Sequence, residues 1–76
     1  MNAITITLAG ISRLARIVAD PTCDIIDARA AGNNVLIDLG YWAGRKVPKS
    51  IMSALDSLST EARTMVDWED GRGDDE

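Results

Sequence analysis

The chain contains no histidine and a single cysteine, Cys23. Without histidine it lacks the side chain most often used as a general base, and a zinc site built from His and Cys is out of reach. A lone cysteine forms no internal disulfide, which excludes a secreted disulfide scaffold. Long apolar runs are missing too. No stretch approaches the roughly 18 residues of a membrane helix, and the opening Met1-Asn2-Ala3-Ile4-Thr5 lacks the basic region of a secretory signal. These absences set a first expectation of a cytoplasmic, non-enzymatic protein that spans no membrane and holds no cofactor or metal. Carboxylate or lysine catalysis would need a deep, dry pocket that a small domain rarely encloses.

What is present suffices for a fold. The chain has 76 residues, of which 46 % are apolar and 26 % charged, well inside the range of ordinary globular domains. A domain of this size buries only about 60 % of the surface of its unfolded chain, so modest stability is expected.

The net charge of -4 conceals a division along the chain. Residues 1–55 carry Arg13, Arg16, Arg29, Arg45, Lys46 and Lys49 against Asp20, Asp24, Asp27 and Asp38. Residues 56–76 carry Asp56, Glu61, Asp67, Glu69, Asp70, Asp74, Asp75 and Glu76 against Arg63 and Arg72. The first part is therefore +2 and the second -6.

Periodicity organises the chain around the stretch from Pro48 to about Trp68. There Ile51, Leu55, Leu58, Ala62 and Met65 recur at steps of four and three, the signature of a helix with one dry stripe. Pro48 suits its first turn, and Ser59-Thr60 offers caps for a restart after a break at Leu58. Upstream, Ile4-Thr5-Ile6-Thr7-Leu8 alternates as a half-buried strand does, with Ile4, Ile6 and Leu8 inward. After Gly10 the spacing of Ile11, Leu14, Ala15 and Val18 predicts a short amphipathic helix that Asp20-Pro21 ends.

From about Cys23 to Trp42 the pattern predicts a β-hairpin around Gly32-Asn33-Asn34, because these residues accept the backbone of a tight reversal. Val35, Ile37, Leu39 and Tyr41 would form one face of its second arm, and Ile26 and Ala28 the inner face of its first. A helical turn at 28–31 is the alternative. The expected fold is α+β: a two-layer β-α-β-β-α domain over residues 1–70, with a three-stranded sheet and two helices on one of its faces. Residues 71–76 read as an acidic, flexible tail.

Two segments carry candidate chemistry. The carboxylates Asp56, Glu61, Asp67, Glu69 and Asp70 present negative charge at intervals that a protein built to grip a nucleic-acid backbone would accept. A solvated helix face and a solubilising tail explain the same residues without a partner. The second segment is Arg45-Lys46-Val47-Pro48-Lys49, just after Tyr41 and Trp42. Arg45, Lys46 and Lys49 near a helix N-terminus favour phosphate, and an exposed aromatic ring can stack on a base; the alternative has both aromatics covering the core edge. Asp24, Asp27 and Asp38 form a minor option for a hard cation, without the spacing of a known calcium loop. Trp68 reads as a core cap or a partner anchor, and Met52 as the margin of an apolar patch suited to dimerisation.

In its size and in the charge layout of its C-terminal third, from Asp56 and Glu61 to Asp75 and Glu76, the chain resembles the small phage proteins that inhibit bacterial defence, anti-CRISPR proteins in particular. A monomer or weak homodimer is expected, and the resemblance implies the bacterial host cytoplasm as its location. It implies binding to a larger nucleic-acid-binding complex, a CRISPR effector, and blockage of target DNA without direct contact to nucleic acid. The surplus of base in residues 1–55 departs from a uniformly acidic DNA mimic. A nucleic-acid-binding module using the basic loop and a structural or assembly subunit are the alternatives.

Overall fold

The computed structural model describes residues 2–66. Within them all regular structure is helical: α1 (Ala3–Ala19), α2 (Ile25–Gly40), α3 (Lys49–Asp56) and α4 (Thr60–Val66). The expected three-stranded α+β sheet is not formed among the described residues. Asp67, Trp68, Glu69, Asp70 and residues 71–76 lie outside them.

The stretch Ile4 to Leu8 belongs to α1, not to a strand. Asn2 caps the helix by accepting from the Thr5 N–H at 2.8 Å, which satisfies one of the donors a helix start leaves open. From there Ala3, Thr7, Ile11, Leu14 and Val18 recur at helical spacing, and Thr7, Ile11 and Leu14 are buried. Ile4 and Ile6, expected inside, are 37 % and 43 % exposed. The helix ends at Asp20, before Pro21, as expected.

The expected hairpin is a single helix of 16 residues. Asp24 accepts from the Ile26 N–H at 3.1 Å and starts it. Ala28, Ala31, Gly32, Val35 and Leu39 then form a buried stripe, and Ile26, placed inward by the hairpin reading, is 69 % exposed. Gly32-Asn33-Asn34 is helix interior, with α4 lying against Gly32 while Asn33 and Asn34 are exposed. A Cβ on Gly32 would stand 2.8 Å from the Met65 Cβ and closer still to the Met65 carbonyl oxygen. Glycine costs the helix about 0.5–1 kcal/mol relative to alanine; here it lets two backbones approach.

The Gly10 position lies beside Asp38 and Val35, and Thr7 bonds Trp42, so the start of α1 sits against the end of α2. The two helices form an antiparallel hairpin. α3 packs on α1, and α4 on α2 with lesser contact to α1.

The stretch from Pro48 onward breaks into α3 and α4 at residues 57–59, the restart that Ser59-Thr60 allows. Ser59 Oγ accepts from the Ala62 N–H at 3.2 Å. The dry stripe survives the break: Ile51, Leu55, Leu58, Ala62 and Val66 are buried in one cluster with Ile11, Leu14, Val35, Leu39 and Trp42, and Met65 packs against it. Met52 is half-buried. Among the described residues no helix is long and apolar enough to cross a membrane.

Candidate functional site: the acidic corner and the basic loop

The break between α3 and α4 sets the first two candidate carboxylates at a corner. Asp56 is the last residue of α3 and Glu61 lies in the first turn of α4, both exposed. Leu58 turns inward between them and anchors the corner to the core. Arg63 reaches Asp56 at 3.7 Å, with the two side chains 47 % and 67 % exposed. A long, wet ion pair of this kind is worth about 0–1 kcal/mol, so Asp56 keeps its hydration and is available to a stronger cation. Asp67, Glu69 and Asp70 lie outside the described residues, as does the pairing of Arg63 with Asp67 that a one-turn spacing suggests.

Within residues 2–66, Arg13, Arg16, Arg29, Arg45, Lys46, Lys49 and Arg63 stand against Asp20, Asp24, Asp27, Asp38, Asp56 and Glu61, so the described body is +1. Residues 67–76 then carry -5, with six acids and Arg72. The asymmetry is sharper than the division at residue 56 suggests: the negative charge gathers after α4.

The basic loop follows α2. Tyr41 and Trp42 continue the helical turn, their rings meeting edge to face at 4.9 Å. Trp42 is buried at 9 % exposure and Tyr41 is 49 % exposed. Gly44 takes φ +77 and turns the chain, a conformation that costs an L side chain about 1–2 kcal/mol. Arg45 then folds back: its Nε donates to the Tyr41 carbonyl at 2.7 Å and its guanidinium lies 4.4 Å from the centre of the Tyr41 ring. Lys46 and Lys49 are exposed. The loop therefore presents two exposed lysines, while the guanidinium of its arginine lies over the Tyr41 ring.

Asp24, Asp27 and Asp38 do not assemble a cation site. Asp24 caps the start of α2, Asp27 lies in its first turn, and Asp38 lies near its end, about 16 Å along the axis from Asp27 at 1.5 Å per residue. No group of three or more potential ligands forms among the described residues. Asp20 holds its carboxylate differently. The Thr22 backbone N–H at 2.9 Å and the Thr22 hydroxyl at 2.8 Å both donate to it, and these bonds, the backbone one first, lower its pKa from 3.8.

Two features escape the sequence reading. Arg13 lies on the seam between α1 and α2, where it lines two open clefts, one with Asp38 and Ile37 and the other with Asp20, Asp24 and Asp27. The second is an apolar stripe on the outward side of α2, where Ile37 is 72 % and Ile26 69 % exposed. A helical wheel over 25–41 would have shown it.

No family model matches the chain, and no curated protein or solved structure does either.

Proposed function

We propose that the protein is a non-enzymatic inhibitor that occupies a basic, nucleic-acid-binding groove of a larger protein complex, as an anti-CRISPR protein blocks target DNA at its effector. The groups that meet the groove are Asp56, Glu61, Asp67, Glu69 and Asp70. One observation supports this reading above the others. A body of charge +1 is followed by ten residues of charge -5, and the corner that leads into them already exposes two carboxylates. Such a dipolar layout steers a protein end-on toward a cationic trench.

The test is displacement. Nucleic-acid-binding complexes of bacteria, CRISPR effectors among them, are mixed with target DNA and increasing amounts of the protein, and DNA retention is read by gel shift. Loss of retention, restored when Asp67, Glu69 and Asp70 are changed to lysine, supports the proposal. DNA retention unchanged by saturating protein, together with no complex in moderate salt, rejects it.

The alternative of a nucleic-acid-binding module rests on exposed Lys46 and Lys49 beside Tyr41. Against it, the Arg45 guanidinium occupies the ring face a base would stack on. A direct DNA or RNA shift that weakens steeply with salt would favour this module over the inhibitor.

A further inference from the structure

The outward stripe of α2 fits a second copy of this chain. Projected at 100° per residue, the buried stripe of Ala28, Ala31, Gly32, Val35 and Leu39 occupies one side of the helix. Roughly 180° away lie Ile26, Ala30, Asn33, Ile37 and Tyr41, all of them exposed. Their spacing of four, three, four and four is that of a helix seam. Ile37 and Ile26 are the two most exposed of the large apolar side chains described in the fold. A helix apolar on both sides is built to be covered on both sides, and α1, α3 and α4 leave this side uncovered.

We infer that two copies pair antiparallel through this stripe, about a two-fold axis between Asn33 and Asn34. The register is what selects a second copy as the occupant. About that axis Ala30 lies level with Ile37 of the second copy, a small residue receiving a large one. Ile26 lies level with Tyr41 of the second copy, apolar against aromatic. Asn33 lies level with Asn34 of the second copy, and Asn34 with its Asn33, where paired amides satisfy one another and fix the alignment. Each contact occurs twice, as an isologous interface requires. Residues 2–66, which carry the seam, are +1, but each full chain is -4, so pairing should strengthen with added salt.

Area sets the strength. The 16 residues of α2 span about 24 Å at 1.5 Å per residue. A seam of that length and one helix wide covers on the order of 500 Å² per copy, short of the ~800 Å² per partner of a stable interface. The dimer therefore depends on concentration and assembles between micromolar and millimolar protein. This association uses residues other than the acidic corner and stands or falls apart from the proposed inhibitor.

Sedimentation of the full chain across that range tests it. The expected mass rises from one copy to two, and Ile37→Glu raises the dissociation constant by roughly tenfold or more, with unchanged helicity because the side chain it replaces is solvent-facing. In a Cys23→Ser background, Asn33→Cys oxidises to a covalent dimer, whereas Ile26→Cys alone does not, because antiparallel pairing holds the two copies of residue 26 far apart. A single-copy mass at millimolar protein overturns the inference. So does a dimer indifferent to Ile37→Glu, or one that cross-links through Ile26→Cys alone.

Discussion

Trp42 Nε1 donates a hydrogen bond to Thr7 Oγ1 across 3.0 Å, joining side chains 35 positions apart in the chain. Thr7 in turn donates its hydroxyl to the Ala3 carbonyl at 2.8 Å, so one buried hydroxyl ties the first turn of α1 to the end of α2. Thr7 is 1 % exposed, and among the described residues no buried side-chain polar atom is left without a partner. Thr7→Val keeps the shape and strands the indole N–H. The expected loss is about 1–3 kcal/mol, against about 1 kcal/mol for Thr7→Ser, which keeps the acceptor and loses a methyl. Urea denaturation of the two variants measures the difference.

Gly32 and Gly40 share one helix and predict opposite outcomes. Gly32→Ala drives a methyl into Met65 and is expected to destabilise by about 1–3 kcal/mol, despite the better helix former. Around Gly40 a Cβ meets nothing within 4 Å. Gly40→Ala is therefore expected to stabilise by about 0.5–1 kcal/mol. Thermal midpoints moving in opposite directions are the outcome to look for.

Asp20 carries a pH signature. Its carboxyl is held below its unfolded value of 3.8 by the bonds from Thr22, so its contribution is fully present above that value and is lost as pH falls through the lower folded value. Asp20→Ala should lower the denaturation midpoint at neutral pH. The gap from the parent chain should close in acid below about 3.8.

At the acidic corner, stability and binding should separate. Asp56→Asn removes only a wet ion pair and is expected to change stability by less than about 0.5 kcal/mol. It should nonetheless weaken displacement of DNA from a basic partner, read as a higher concentration for half-effect. An unchanged half-effect concentration would remove Asp56 from the contact.

Parts of this fold were legible in the residues. The dry stripe from Ile51 to Met65, the restart at Ser59 and the stop at Asp20-Pro21 follow from spacing and cap chemistry; of the two aromatics that the alternative reading lays on the core edge, Trp42 is buried and Tyr41 is 49 % exposed. Two physical reasons make helices of the segments whose pattern predicts strands. In α1, Ile-Thr-Ile-Thr-Leu alternates by type, yet the inward residue is Thr7, whose hydroxyl is satisfied by the Ala3 carbonyl one turn back and by Trp42, 35 positions away. In α2, apolar residues on two opposite faces bring Val35, Ile37, Leu39 and Tyr41 into apparent alternation, and the contact that makes Gly32 a helix residue lies 33 positions downstream at Met65. Tertiary approach outweighed local turn preference. At the candidate site, composition exposed the acidic and basic segments. The stacking of Arg45 on Tyr41 was not legible, because it depends on the turn at Gly44.

The corner at residues 57–59 leaves α3 with 8 residues and α4 with 7. Isolated helices shorter than about 12–15 residues are marginal in water, so both persist through the side chains they lay on the hairpin. Amide hydrogen exchange should accordingly run fastest in α4 and α3 and slowest in α1 and α2. The acidic segment is thus tethered to the shortest helix, and a partner that seizes it pulls on Ala62 and Val66, which share one core with α1 and α2.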